Sequence, residues 1–119
     1  VSNPVVHWQL ITRDPESTSR FYAELFDWKI SAQNQLGYRT VQTGTGKGID
    51  GGIWPAPPNG SEIVQLYVEV EDIDSMLARL EQLGGRVLMP KQMLPDGDAM
   101  ALALDPAGRP FGLMTSAGK

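Results

Sequence analysis

Residues 5–30 read VVHWQLITRDPESTSRFYAELFDWKI, and this stretch decides the fold. Its opening, Val5 to Ile11, is rich in β-forming residues and predicts a short strand. Asp14 then offers a side-chain oxygen to the unpaired N–H groups of a helix start. Pro15 fits the first helical turn, and Glu16 suits the positive helix end. The helix is expected to reach about Phe26. Phe21 and Leu25, with Tyr22 and Phe26, are spaced four apart and form one apolar stripe. Asp27 to Ile30 leads into a second strand.

Working outward, Tyr38 to Thr43 predicts a third strand, and Gly44, Gly46 and Gly48 mark a turn. Gly51, Gly52, Ile53 and Trp54 predict a fourth. Pro55, Pro57, Pro58, Asn59 and Gly60 then break the pattern. The order repeats afterwards. Ile63 to Val70 reads as a strand, and Asp72 or Asp74 caps a helix running to Leu83. Ile73, Met76, Leu77, Leu80 and Leu83 keep close to a 3.6-residue period in it. Gly84 and Gly85 end that helix. Arg86 to Met89 predicts a strand, with a loop through Pro90, Pro95 and Gly97. Ala99 to Leu104 and Phe111 to Thr115 are the last strands, joined by the turn Asp105 to Gly108.

The two halves superimpose at an offset of 58 residues, which lays His7 on Gln65, Asp14 on Asp72, Ser17 on Ser75 and Leu25 on Leu83. Cap, stripe and flanking strands coincide without a gap, which indicates a duplicated strand-helix-three-strand unit. Such a unit cannot bury its sheet alone, so two must face each other, within a chain or between chains. The expected modules cover about residues 5–58 and 63–116 of a single domain.

Composition agrees with a small globular domain. The 119 residues carry no cysteine, which excludes disulfides and thiolate metal sites. Ten Lys and Arg against fourteen Asp and Glu give a net charge of -4, with the basic residues scattered, which argues against nucleic-acid binding. No apolar run suits a bilayer span and no leader opens the chain, so a cytoplasmic location is the expectation.

Strand alternation locates the candidate site. His7, Gln9 and Ile11 share one face of the first strand; Gln65, Tyr67 and Glu69 share one face of the fifth. The opposite, apolar faces suit packing beneath the helices. The polar set then forms either a semi-polar cup for a small molecule or simply the wet face of a sheet. His7 is the single histidine and is open to a structural or a functional role. Trp54 reads as a lid contact or as core, and Trp28 as core. Gly44 to Gly48 lacks the strand-loop-helix context of a phosphate loop, and Asp96, Gly97 and Asp98 read as a turn.

Val6 to Leu10, Asp14 to Glu16, Phe21 to Trp28, Gly51 to Ile53, Tyr67 to Asp74 and Asp105 to Leu113 together resemble the vicinal oxygen chelate superfamily. Its members are the glyoxalase, bleomycin-resistance and extradiol dioxygenase relatives. The resemblance covers nearly the whole chain. It implies an α+β fold of two βαβββ modules whose curved mixed sheets surround a central cup, and a homodimer. Metal-dependent members hold a divalent ion with four side chains. Carried over, those positions are His7, a residue near Trp54, Gln65 and Gly112. Glycine has no ligand to offer and glutamine is a poor one, so no metal ligand set is assigned, although a weakly held divalent ion is compatible with the residues.

The expected function is therefore a glyoxalase/bleomycin-resistance/dioxygenase-like protein that binds a small molecule, without a cofactor or a firmly held metal. A cationic or aromatic ligand would suit the acidic balance. The alternative is a metal-dependent lyase or dioxygenase acting on a small carbonyl or diol. Expected binding residues are His7, Gln9, Trp54, Gln65 and Tyr67. If the protein is an enzyme, His7 and Glu69 are the expected proton-transfer pair.

Overall fold

The computed structural model describes residues 2–32, 38–58, 60–94 and 97–115. Asn59, Pro95 and Asp96, named above, lie outside them. Among the described residues, eight strands and two helices follow in the order β1 (Val5–Thr12), α1 (Pro15–Phe26), β2 (Lys29–Ser31), β3 (Arg39–Gln42), β4 (Gly51–Pro55), β5 (Ile63–Glu69), α2 (Ile73–Gln82), β6 (Arg86–Met93), β7 (Ala99–Leu104) and β8 (Pro110–Thr115). This is the α+β order of two βαβββ modules. The chain divides into two compact units, His7–Gln65 and Val1–Val6 with Leu66–Lys119.

In the first module the strands run β2-β3-β4-β1, and in the second β5-β8-β7-β6. β1 and β4 pair in parallel, as do β5 and β8, whereas β2/β3, β3/β4, β6/β7 and β7/β8 are antiparallel. Each helix is thus the crossover that a parallel strand pair requires.

Both helices start as expected. Asp14 accepts from Ser17 N at 3.0 Å, and Asp72, rather than Asp74, accepts from Ser75 N at 3.2 Å. α1 ends on Asp27, which adopts the left-handed conformation at φ 60° that aspartate tolerates better than most residues.

The core of α2's unit follows the sequence reading. Ile73 and Leu77 are buried against Val70, Ala99, Ala101 and Leu113, with Met76 and Leu80 alongside. α1 does not follow it. Phe21, Leu25 and Phe26 are 57, 58 and 53% exposed, and the helix's one buried residue is Ser19. Spacing predicts the stripe, but the sheet beneath α1 already carries its own aromatic layer. Trp8 stands over Gly51, where a Cβ would overlap its ring, and Tyr22 stacks on Trp28 at 5.5 Å. Trp28 therefore joins a cluster under α1.

Among the described residues, Ser19 Oγ is buried there without a hydrogen-bond partner. Ser19→Ala removes that unpaired group and favours helix, so it should stabilise the protein by about 1 kcal/mol in urea unfolding.

β6 also departs from expectation, continuing through Pro90 to Met93 rather than stopping at Met89. It is the outer strand of its sheet, so the missing proline N–H breaks no ladder, and its register against β7 shifts between Met89 and Gln92. No helix among the described residues is long and apolar enough to cross a membrane.

Candidate functional site

α1 covers one face of the first module's sheet, the face holding Trp8, Leu10, Ile53 and Val41. Pairing of Gln9 with Gly52, Ile11 with Trp54 and Thr40 with Gly52 puts these residues on the opposite, helix-free face together with His7. Three of the expected residues, His7, Gln9 and Trp54, are gathered here. Gln9 is buried at 6% exposure and His7 is half-buried. Gln65 belongs to the same compact unit and is 5% exposed. None of these four is among the exposed residues.

Gly52 is the floor of the arrangement. A Cβ there would meet His7 Nε2 at 3.6 Å and Tyr38 Cδ2 at 3.7 Å. Tyr38 in turn stacks on Trp54, ring centroids 4.7 Å apart and planes 11° from parallel. Among the described residues, Trp54 Nε1 is buried with no hydrogen-bond partner.

The carboxylate whose field reaches His7 is Asp50. Burial pushes the imidazole below the usual histidine value of 6.5, and the Asp50 charge partly opposes that shift. Asp50 is itself held by Thr43 N at 3.1 Å. Tyr38, Asp50 and Gly52 were not singled out from sequence. The signal that finds them is the antiparallel register across the Gly44–Gly48 turn, which a glycine-rich segment leaves open.

A histidine kept neutral in the fold gives a stability term that is full above pH 6.5 and is lost as pH falls through its depressed value. Urea midpoints should therefore drop below pH 6.5 more steeply in the wild type than in His7→Gln. Parallel curves would contradict this.

Tyr67 and Glu69 belong to the other unit. Tyr67 is buried at 3% exposure, and burial pushes its phenol up to about 12, so it stays protonated at neutral pH and can act only as a neutral group. A Cβ on Gly112 would overlap its ring. Glu69 N donates to Pro4 O at 2.9 Å, and the residue pairs with Met114.

Tyr67 faces Gly112 across β5/β8, and Gln9 faces Gly52 across β1/β4. Of the ligand positions that the resemblance implies, His7, a residue near Trp54, Gln65 and Gly112, the glycine has no side chain and Tyr67 fills the space beside it. These residues do not fit a four-ligand divalent ion. Among the described residues, no three His, Cys, Asp or Glu side chains cluster as a metal group.

A cleft of about 460 Å³ opens elsewhere in the same unit, lined by Leu10, Thr12, Thr18, Phe21, Tyr22 and Val64 among others. None of His7, Gln9, Trp54 or Gln65 lines it.

Two βαβββ modules, each with one helix and one parallel strand pair, define the glyoxalase/bleomycin-resistance/dioxygenase class of folds. Residues 6–114 match the family model described as a glyoxalase-like domain, and the chain belongs to that family. It is 30% identical over 112 residues to the protein named "Putative glyoxylase CFP32" of Mycobacterium tuberculosis and of Mycobacterium bovis, a match covering 87% of this chain. The match spans only 42% of the length of those relatives. Among solved structures, methylmalonyl-CoA epimerase from Mycobacterium tuberculosis aligns at TM-score 0.70 and 17% identity, covering 95% of this chain and 87% of that one. A glyoxalase/bleomycin resistance protein/dioxygenase superfamily member from Vibrio splendidus aligns at 0.68 and 15%, covering 97% and 100%. At these identities the likeness is one of fold.

Proposed function

We propose that the helix-free face of the His7–Gln65 unit binds a small molecule without a firmly held metal ion. His7 acts there as a neutral hydrogen-bond partner and, if the bound molecule reacts, as proton acceptor. The observation that carries this reading is the gathering of Gln9, His7 and the Tyr38–Trp54 stack around the bare Gly52 floor. A few polar groups among aromatic walls suit recognition of a small polar metabolite. Asp50 supports the proton role by favouring the imidazolium once a proton arrives. A small carbonyl compound is the proposed substrate class, in keeping with the name of the curated relatives.

Glu69 remains a proposed proton-transfer group and Tyr67 a proposed neutral donor. A cytoplasmic homodimer is the proposed state. Light scattering should give twice the 13.0 kDa chain mass, and a 13.0 kDa particle would reject the dimer.

The test is a thermal-shift panel of aldehydes, diols and aromatic compounds on wild type and His7→Gln. At least one compound should raise the melting temperature of the wild type and not of the variant. Equal shifts in both proteins would remove His7 from the site. Protein purified without chelator should carry substoichiometric metal, and a near-equimolar divalent ion would overturn the metal-free reading.

A further inference from the structure

α1 turns Ser19, which is buried, and Tyr22 and Ala23, which are half-buried, toward its sheet. Its outward side is not wholly polar. Phe21 and Leu25 stay more than half exposed, and Val64, which lines the 460 Å³ cleft together with Phe21, is 62% exposed. A single exposed apolar residue needs no explanation, but three beside one cleft form a patch whose covering would release water.

The spacing on the helix selects what covers it. Phe21 and Leu25 are one turn apart, and Arg20 and Glu24 form a second stripe beside them. A second α1 laid antiparallel on the first, with a twofold axis level with the link between Tyr22 and Ala23, sets Phe21 against the second copy's Leu25. The same operation sets Arg20 against the second copy's Glu24, and each contact occurs twice. Arg20 reaches only Glu16 on its own helix, at 3.3 Å, and among the described residues Glu24 makes no ion pair. Apolar and charged stripes are thus both complementary to themselves, in one register.

We propose that the outward face of α1 is an interface with a second copy of this chain, the two helices antiparallel. This rests on the reading of the protein as a homodimer and names the surface that makes it. α1 covers the opposite face of the sheet from His7, so the second copy's helix leaves the His7 face clear.

The experiment is sedimentation equilibrium on the full chain, with far-UV circular dichroism to confirm folding. The wild type should sediment at twice the 13.0 kDa chain mass. Phe21→Glu, or Leu25→Lys if that variant does not fold, should sediment at the single chain mass with the wild-type spectrum. Arg20→Glu opposes like charges at both symmetric contacts and should raise the dissociation constant about tenfold. The double variant R20E/E24R restores opposite charges and should return to within about threefold of the wild type. If Phe21→Glu and Leu25→Lys both stay dimeric, the α1 face falls and the dimer stands on another surface. A double variant no tighter than Arg20→Glu would overturn the antiparallel register. A wild type at the single chain mass even at millimolar concentration would remove the dimer and this interface together.

Discussion

Gly112→Ala is expected to destabilise the protein by about 1–3 kcal/mol, a large effect for a single added methyl group. The strand backbone accepts alanine readily, since Gly112 is not among the glycines with positive φ. The cost comes from space: the new Cβ would overlap the ring of Tyr67, which is buried and cannot swing freely into solvent. A double-mutant cycle separates this from a generic strand effect. In a Tyr67→Ala background, Gly112→Ala should cost no more than a few tenths of a kcal/mol by urea unfolding. An unchanged cost there would exclude the ring as the cause. Gly112→Glu should cost at least as much as alanine and bring no metal uptake.

Ile53→Ala should cost about 2–5 kcal/mol, and Ile53→Val about 0.5–1.5 kcal/mol. Ile53 is fully buried at 0% exposure, paired with Leu10 on one side and Arg39 on the other. It pins the middle of β4 beneath α1, while its chain neighbours Gly52 and Trp54 point to the opposite face. A cavity at Ile53 loosens the strand that presents the site. The alanine variant should therefore lose ligand affinity as well as stability, in contrast to Leu77→Ala, whose core lies in the other unit. Intact binding in Ile53→Ala at a temperature where it remains folded would separate the site from the strand that carries it.

The fold was readable where local chemistry is strong. Asp14 and Asp72 cap their helices, the α2 stripe packs as its period demands except at Leu83, which is 64% exposed, and the element order follows the repeat. Spacing misled at α1, because periodicity cannot reveal that Trp8 and Trp28 already fill the layer beneath it. Pro90 misled at β6, because a sequence does not announce which strand lies at an edge.

The site was half readable. Alternation put His7 and Gln9 on one face correctly. The repeat offset lays Trp54 on Gly112, whereas cross-strand pairing sets Gly52 opposite Gln9 and Gly112 opposite Tyr67. Asp50 and Tyr38 reach His7 and Trp54 only through cross-strand pairing. Such partners become visible once the ladder is known.

Crystals soaked with a set of small planar carbonyl and amide fragments offer the most direct measurement. A fragment should seat over Gly52, touching His7 and Trp54. Fragments confined to the cleft beside Leu10, Thr18 and Phe21, with the His7 face empty at saturating concentration, would contradict the assignment of that face as the binding site.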